Sequence, residues 1–378
     1  MKKIKVAIFG TGFMGRVHTE ALRRLGNIEV IGVAGSSAER ARKFADTVSI
    51  ERSTGDYREL IADPAVEAVH VCTPNSLHYE QSMAALAAGK HVLCEKPLAA
   101  SVEEGRKMLA LAREKNLAHC TLYNVRSYPA VQQMRQMRLS GELGEIRFVQ
   151  GTYLQDWLYY DTDWNWRIED GKSRTFADIG THWCDLAEHI TGLKMNSLCA
   201  DSETFITTRK KPQGPVETFQ GKNLRPGEYT EVPILNEDFV SMMFRMDGRT
   251  RGSVTACQMA AGRKNRLFIE VYGTKCSVAW TAERPDELWI GHRERRSEVL
   301  IKDAVLFEEG ARGFADLPGG HSEGYDDTFK QTFRRFYRRV AAPSAAVEYP
   351  TFEDGIRQLQ IVDAVVESSK KHGWLEIA

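Results

Sequence analysis

The tripeptide Glu95-Lys96-Pro97 is the feature of the sequence with the clearest capacity for chemistry. It directly follows a short apolar run, His91 to Cys94, which has the length and composition of a buried strand. A lysine at the carboxyl end of a parallel strand stands where open α/β sheets bind their ligands. The sequence therefore predicts that Lys96 contacts a bound ligand.

A glycine-rich loop, Gly10-Thr11-Gly12-Phe13-Met14-Gly15, lies between the strand-like run Ile4 to Phe9 and the helical pattern Met14 to Leu25. The first glycine permits a tight turn, the second lets a pyrophosphate approach the backbone, and the third lets the helix pack close to the strand. The helix N-terminus would face the phosphates. This context favours dinucleotide binding over a purely structural glycine motif.

The elements that must position these residues alternate along residues 1–123. Strand patterns are separated by helical ones and occur near Ile4 to Phe9, Glu29 to Ala34, Val66 to Cys72, His91 to Cys94 and Ala118 to Tyr123. Such alternation predicts an α/β Rossmann domain, which is a doubly wound parallel sheet with its ligand at the topological switch point.

Beyond residue 123 the pattern changes to successive strands. They are expected at Glu145 to Tyr153, Asp238 to Met246, Arg251 to Met259, Arg266 to Tyr272 and Cys276 to Trp280, with Gly273-Thr274 as a hairpin turn. Helices near Tyr325 to Val340 and Phe352 to His372 are expected to cover this sheet, and Arg209 to Pro233 is expected to form a long surface loop. Residues 124–378 are thus predicted to form an α+β domain with a large, mostly antiparallel open sheet.

Composition restricts the classes of partner. Lysine plus arginine equals aspartate plus glutamate at 51 each, and the pI is near 7.1, which argues against nucleic acid or an anionic membrane as the main partner. No apolar span reaches the roughly 18 residues of a membrane helix, and the histidines and cysteines do not group at metal-ligand spacing. We expect a cytoplasmic protein that binds a small molecule and no metal.

Several motifs together resemble the Gfo/Idh/MocA family, named for glucose-fructose oxidoreductase, inositol dehydrogenase and rhizopine catabolism. Besides the glycine loop, they are Thr73-Pro74-Asn75-Ser76-Leu77-His78, Ala88 to Leu98 with its Glu95-Lys96-Pro97, Trp166-Arg167, and Asp178-Ile179-Gly180-Thr181-His182-Trp183-Cys184-Asp185. The stretch Gly151 to Trp157 resembles the branch of levoglucosan-dehydrogenase-like sugar dehydrogenases. The resemblance extends over the whole chain.

The resemblance implies an enzyme that binds a nicotinamide dinucleotide and oxidises a secondary hydroxyl of a sugar, anhydrosugar or cyclitol, or reduces the matching ketone. It also implies a catalytic set of Lys96, Asp178 and His182. Histidine suits the role of base for the hydroxyl proton, and a lysine ammonium stabilises developing alkoxide charge. If a helix starts near Ile179, Asp178 is its N-cap and shares a face with His182. In the alternative interpretation, Asp178 only caps that helix and His182 lies on its packed face.

The family also implies a set of cofactor-binding residues: Gly10, Gly12, Phe13, Met14, Gly15, Thr73, Pro74, Asn75, His78, Glu95, Lys96, Trp166 and Arg167. Structural alternatives remain for three positions in this set. Asn75 would cap the next helix, Glu95 would pair with a lysine, and Trp166 with Arg167 would form a surface aromatic-cation pair.

The choice between NAD and NADP stays open in the sequence. An NAD site usually has an acid at the end of the second strand, but this chain has Gly35 there. Ser36, Ser37 and Arg40 follow and are suited to bind a 2′-phosphate, which favours NADP mildly. The sugar-dehydrogenase resemblance, in contrast, includes users of NAD.

The candidate substrate-binding residues are Lys96, Asn124, Arg126, Tyr153, Trp157, Asp178, His182 and Tyr325, any of which could instead belong to a core. An uncovered sheet face in the second domain predicts a homodimer or homotetramer. Two other functions fit the same fold. They are an NAD-dependent glycosidase, which oxidises its substrate only transiently, and a non-catalytic nucleotide or sugar sensor.

Overall fold

The computed structural model describes residues 3–169, 171–214 and 227–377. The chain divides into two compact units, of which the first comprises Met1–Asn124 with Tyr325–Leu359 and the second comprises Val125–Gly324 with Gln360–Ala378. The predicted boundary after residue 123 lies one residue from the observed break. The predicted assignment of residues 325–359 to the second domain differs from the structure, which groups them with the first unit.

The first unit contains a parallel sheet. Its strands are β1 Ile4–Phe9, β2 Ile28–Ala34, β3 Arg52–Thr54, β4 Ala68–Val71, β5 His91–Cys94 and β6 His119–Thr121. The intervening helices are α1 Phe13–Arg23, α2 Ala38–Thr47, α3 Arg58–Ile61, α4 His78–Ala87 and α5 Val102–Glu114. Within the described residues the strand order is β3-β2-β1-β4-β5-β6, so the order reverses at β1 and the predicted Rossmann sheet is confirmed.

The second unit contains a larger sheet. Its helices are α6 Pro129–Leu139, α7 Thr181–Thr191 and α8 Glu309–Arg312. The strands of the larger sheet include β7 Ile146–Leu154, β8 Met195–Glu203, β11 Phe239–Met246, β12 Arg251–Cys257, β13 Arg266–Gly273, β14 Ser277–Thr281, β15 Glu287–Gly291 and β16 Glu298–Ile301. The strands β9 Thr208–Pro212 and β10 Tyr229–Pro233 form a separate two-stranded sheet. Among the pairings described for the second unit, only that of β7 with β12 is parallel, which confirms a mostly antiparallel sheet.

The last elements are α9 Tyr325–Ala341, α10 Phe352–Lys371 and β17 Leu375–Glu376, of which β17 pairs with β8. The expectation that both helices cover the second-domain sheet is wrong for α9. Its apolar stripe, which includes Phe329, Phe333 and Phe336, packs in one core with Val6 and Ile8 of β1. Four phenylalanine or tyrosine rings at helical spacing need an apolar sheet face, and the parallel sheet supplies one.

The segment Arg209 to Pro233 is also only partly the loop that its composition indicated. Its two ends form an antiparallel ladder, in which Val232 of β10 pairs with Arg209 of β9. Arg209 is fully buried, and its guanidinium donates to Asp238 at 3.0 Å. Residues 215–226 of this segment lie outside the described residues.

Alternation along the strands gives the parallel sheet two apolar faces. Val6 and Ile8 lie in the core that contains α1 and α9, whereas Ala7 and Phe9 lie in the core that contains α4 and α5. Both faces are therefore covered, and the carboxyl ends of the strands are the positions from which polar side chains can meet a ligand.

Candidate active site

The glycine loop connects β1 to α1 in a form that requires its first and third glycines. Gly10 has a φ of +111°, and a Cβ there would lie 2.5 Å from the carbonyl oxygen of Cys72. A Cβ on Gly15 would lie 2.2 Å from the carbonyl oxygen of Gly10. Gly12 differs, because no atom lies within 4 Å of its added Cβ. Gly12 thus faces open space, where a ligand can approach the backbone closely.

The start of α1 fits the pyrophosphate of a dinucleotide. The helix begins at Phe13, and no side chain caps its N-terminus. Its first turn contains no acidic residue, so no carboxylate competes with a bound anion for the main-chain N–H groups. Phe13 is exposed and Met14 is half-buried beside the open space at Gly12.

The end of β2 has little room for the acid that an NAD site usually contains. A Cβ on Gly35 would lie 3.0 Å from the amide nitrogen of Ala41 and 3.1 Å from Cγ2 of Thr11. Ser37 caps α2 by accepting a hydrogen bond from the main-chain nitrogen of Arg40 at 3.2 Å. The exposed guanidinium of Arg40 donates to Oγ of Ser36 at 3.3 Å. The loop therefore presents a cation and hydroxyl groups.

The loop after β4 holds Thr73, Pro74 and Asn75. Asn75 begins a short 3₁₀ turn, Asn75–Leu77, but no side chain caps this turn or α4, so the alternative role of Asn75 as a cap is wrong. The hydroxyl of Thr73 donates to Oε1 of Gln81 at 2.8 Å. Asn75 thus remains a candidate for ligand contact.

His78 is buried and connects two of the strand-end loops. Its Nδ1 lies 2.7 Å from the carbonyl oxygen of Pro97, and its Nε2 lies 2.9 Å from that of Thr73. The imidazole thereby joins the loop after β4 to the loop after β5. This gives His78 an internal role in addition to the predicted cofactor contact, which stays a prediction.

Among the described residues, the side-chain partner of the Glu95 carboxylate is a histidine and not a lysine ammonium, so the alternative of a pair with a lysine is wrong. Its Oε1 lies 2.9 Å from Nε2 of His18, and its Oε2 accepts from the main-chain nitrogen of Lys96 at 3.3 Å. Glu95 is buried, whereas Lys96 is half-buried at the end of β5. His18 was missed because nothing in the sequence pattern marks an inward-facing helical histidine as the partner of a distant carboxylate.

In the second unit, Asp178 lies inside a π-helical turn, Phe176–Gly180, that leads directly into α7. The expectation that Asp178 caps a helix near Ile179 is wrong, since the helical turns begin earlier. At the start of this segment, the carboxylate of Glu237 accepts hydrogen bonds from the main-chain nitrogens of Arg174 and Phe176 at 3.1 and 3.0 Å. The carboxylate of Asp178 is therefore not needed to cap the helix. A π turn of this kind is frequent at functional sites.

Two side chains hold the carboxylate of Asp178. Nε of Arg167 donates to Oδ1 at 3.2 Å, and Nε2 of Gln258 donates to Oδ2 at 2.9 Å. Because a carboxylate oxygen only accepts, this contact directs the amide nitrogen of Gln258 toward Asp178, and Oε1 of Gln258 lies 3.1 Å from the hydroxyl of Thr175. Sequence reasoning missed Gln258, which follows β12 and has no local signature.

His182 lies in the first turn of α7 and is 8% exposed. The centroid of its ring is 6.3 Å from that of Tyr153, in an edge-on arrangement. The hydroxyl of Tyr153 donates to Oδ1 of Asn265 at 2.9 Å, and burial raises the pKa of Tyr153, which therefore stays a neutral phenol. Asn265 is a third residue that the sequence did not indicate.

Trp166 and Arg167 form the aromatic-cation pair that the sequence left as an alternative, with the guanidinium carbon 4.4 Å from the indole centroid. Arg167 also donates to Asp178, so the pair has a second role. Its main-chain nitrogen donates to Oδ1 of the buried Asn165 at 3.1 Å. Trp166, Arg167 and Asp178 thus form one connected group.

The remaining candidate substrate residues have varied surroundings. Asn124 is buried and donates to Oγ1 of Thr328 at 2.8 Å. Arg126 makes a two-point ion pair with the buried Asp185, with Nε at 2.7 Å from Oδ2. Indole Nε1 of Trp157 donates to Oε1 of Gln155 at 2.8 Å. Tyr325 is 38% exposed at the start of α9.

Comparison with known proteins agrees with this architecture. Residues 4–123 match the model of an oxidoreductase family with an NAD-binding Rossmann fold, and residues 131–279 match the Gfo/Idh/MocA C-terminal domain. Levoglucosan dehydrogenase of Pseudarthrobacter phenanthrenivorans is 32% identical, and the alignment covers 100% of this chain and 99% of that protein.

Solved structures agree over the same length. A levoglucosan dehydrogenase in complex with NADH and L-sorbose has a TM-score of 0.89 at 30% identity, covering 100% of both chains. An inositol dehydrogenase homolog from Azotobacter vinelandii, complexed with NADH and myo-inositol, has a TM-score of 0.86 at 26% identity, covering 99% of this chain and 98% of that one.

The chain belongs to the Gfo/Idh/MocA family of oxidoreductases. The predicted family, fold class and class of enzyme are thereby confirmed. Across the part of the chain that the structure describes, no helix is both long and apolar enough to cross a membrane.

Proposed function

We propose that this oxidoreductase transfers a hydride between NAD(P) and a secondary hydroxyl or ketone of a sugar, anhydrosugar or cyclitol. The observation that carries the proposal is the fixed carboxylate of Asp178, which two side-chain donors hold one helical turn before His182. A fixed carboxylate near a histidine suits the orientation of substrate hydroxyls and acid-base chemistry. Support also comes from the full-length similarity to levoglucosan dehydrogenase.

The proposed dinucleotide site is formed mainly by the glycine loop and by the loops that follow β2, β4 and β5. Gly10 to Gly15 would hold the pyrophosphate, Ser36, Ser37 and Arg40 the adenosine ribose, and Thr73, Pro74, Asn75, His78 and Glu95 the nicotinamide half, with Trp166 and Arg167 as further contacts. When bound, the nicotinamide supplies or accepts the hydride. The open space at Gly12 and the uncapped start of α1 support this assignment.

His182 is the proposed base for the substrate hydroxyl. An imidazole takes up a proton near neutral pH, and burial beside Tyr153 limits the rotation of its ring. Lys96 would place its ammonium against the same oxygen and stabilise the negative charge that develops as the proton leaves. Asp178 would orient the substrate hydroxyls from a carboxylate that Arg167 and Gln258 hold in place.

We propose that the site accepts both NAD and NADP. The Arg40 guanidinium and the Ser36 hydroxyl can hydrogen-bond a 2′-phosphate, and the crowding at Gly35 disfavours an acid that would repel it. The NADH complexes of the related structures support NAD. Measured dissociation constants for both dinucleotides would decide the preference.

The substrate contacts proposed in the second unit are those of Tyr153, Trp157, Asp178 and His182. Tyr153 and Trp157 are joined through Asn265 and Gln155, because Nε2 of Gln155 also donates to Oδ1 of Asn265 at 2.8 Å. Arg126 would act indirectly, since its guanidinium is paired with Asp185. Asn124 and Tyr325 remain candidates from the first unit.

We further propose a cytoplasmic homo-oligomer that associates through the open face of the second-unit sheet. Apolar side chains are exposed on three of its strands, namely Met243, Trp289, Val299 and Ile301. Trp289, Val299 and Ile301 lie on the neighbouring strands β15 and β16, and an exposed apolar patch on a sheet often marks an interface. Light scattering would test this, and a Trp289→Glu variant should dissociate the assembly.

The proposed reaction is tested by the absorbance of reduced nicotinamide after mixing the protein with NAD or NADP and a panel of monosaccharides, anhydrosugars and inositols. A rise with one polyol supports the dehydrogenase. Release of an aglycone from a glycoside without net reduction would instead support the glycosidase. Dinucleotide binding without turnover on any of these compounds would support a sensor.

A further inference from the structure

A buried cluster lies behind Glu95 in the first unit. It consists of His18 on α1, His70 on β4, Cys72 at the end of that strand and Tyr337 on α9. The two histidine rings are fully buried, and Tyr337 is 1% exposed. Their polar atoms form a continuous chain that ends on Oε1 of Glu95.

Tyr337 fixes the direction of this chain at its far end. Its hydroxyl lies 2.8 Å from Nε2 of His70, and burial raises the pKa of Tyr337 well above its usual range, so the phenol keeps its proton. Burial holds the pKa of His70 well below its usual range, so that ring carries one proton. When the phenol of Tyr337 donates to Nε2, the proton of His70 is on Nδ1.

Two polar atoms that can donate lie close to Nδ1 of His18. Nδ1 of His70 lies 2.8 Å away, and Sγ of Cys72 lies 3.2 Å away. Burial raises the pKa of the Cys72 thiol well above its usual range, so the sulfur keeps its proton and is a donor. With His70 as the donor, Nδ1 of His18 accepts, and the proton of the neutral ring is on Nε2, 2.9 Å from Oε1 of Glu95.

We propose that His18 is a positioning residue for Glu95 and Lys96, held in its Nε2–H tautomer by His70, Tyr337 and Cys72. The opposite tautomer would direct a lone pair at the carboxylate and repel it. In the proposed tautomer, His18 holds one oxygen of Glu95 and leaves the other for the main-chain nitrogen of Lys96 and for ribose hydroxyls of the dinucleotide. This role rests on the proposed function, in which Glu95 and Lys96 meet dinucleotide and substrate.

The histidine tautomers can be measured without activity. Long-range ¹⁵N–¹H NMR spectra of the histidine-labelled full chain distinguish Nδ1–H from Nε2–H rings. We expect Nε2–H for His18 and Nδ1–H for His70, and we expect mixed tautomers at both rings in Tyr337→Phe. Nδ1–H at His18, an imidazolium at either ring, or unchanged tautomers in Tyr337→Phe would overturn the proposed chain.

The positioning role is measured with His18→Leu, His18→Gln and a packing control, Phe333→Leu. The ring of Phe333 lies 4.9 Å from that of His18 and 4.7 Å from that of His70, without a hydrogen bond to either. Removing the donor to a charged group should raise KM for the dinucleotide about tenfold in His18→Leu, with a smaller loss in kcat. The glutamine amide should restore most of that affinity, and the control should stay within about twofold.

Equal losses in His18→Leu and Phe333→Leu, or no rescue by His18→Gln, would mean that the histidine only packs, and would overturn the role. A wild-type chain that binds neither dinucleotide would overturn the proposed function instead. In that case the nitrogen spectrum still supports or refutes the hydrogen-bond chain by itself. The two failures are therefore distinguishable.

Discussion

Gln258 donates its side-chain amide to Oδ2 of Asp178 at 2.9 Å, although 80 residues separate them. Gln258 is fully buried, and its Oε1 lies 3.1 Å from the hydroxyl of Thr175. A carboxylate held in this way keeps one orientation and loses little freedom when a substrate binds. This preorganisation is what a site that positions sugar hydroxyls requires.

Replacing Gln258 with leucine should reduce kcat/KM for the sugar about tenfold, because Asp178 loses a charge-assisted hydrogen bond. Dinucleotide affinity should not change. The matched control is Gln150→Leu, which removes a 2.6 Å hydrogen bond between another glutamine and Glu270 on the same sheet. Equal steady-state kinetics for both variants would contradict the role of Gln258.

Substitutions at two glycines of one loop should affect different properties, dinucleotide affinity at Gly12 and the stability of the fold at Gly10. Gly12→Val places its side chain in open space, so the melting temperature should stay near that of the wild type while dinucleotide affinity falls at least about tenfold, or about 1.4 kcal/mol. Gly10→Ala forces a Cβ against Cys72 at a positive φ and should lower the free energy of unfolding by about 2 kcal/mol. Undiminished binding by Gly12→Val would show that the loop is only structural.

Arg40→Ala should weaken NADP more than NAD, by about tenfold in the ratio of dissociation constants, because a charge-assisted contact with the 2′-phosphate is lost. Arg42→Ala is a suitable control, since Arg42 lies on the same helix but pairs with Asp46. Fluorescence titrations with NADH and NADPH measure the ratio of dissociation constants for each variant. An unchanged ratio in Arg40→Ala would exclude this arginine from the cofactor site.

The stability of the fold should fall in mild acid because of His70. Burial holds its pKa well below the usual range in the folded chain, so only the unfolded chain takes up this proton as the pH falls below about 6.5. This group alone should therefore reduce the free energy of unfolding progressively as the pH falls below about 6.5. Urea unfolding of His70→Asn should show a shallower pH slope than that of the wild type.

Much of the fold could be predicted from local pattern. The glycine loop, β1, β5 and the β13–β14 hairpin are found where the sequence places them, because each has its own apolar period and turn residues. The position of α9 could not be predicted, since an amphipathic helix fits either sheet and only tertiary packing decides between them.

The candidate site could likewise be predicted only in part. Asp178 and His182 are recognisable because they stand in one motif. Gln258, Asn265, His18 and Tyr337 are not, because each acts through a contact between residues far apart in the chain. The π turn at Phe176–Gly180 was also missed, since the main-chain nitrogen of Phe176 at its start donates to Glu237, which is far away in the chain.

The most direct test of the central claim is the initial rate of nicotinamide reduction by the wild type, Lys96→Ala and His182→Ala, with the polyol that the substrate panel identifies. We expect both variants to fold, and His182→Ala to bind dinucleotide normally, but both to lose about 10²-fold to 10⁴-fold in kcat, because each removes a group that handles the hydroxyl proton or its charge. Near-wild-type turnover in either variant would contradict the assigned chemistry.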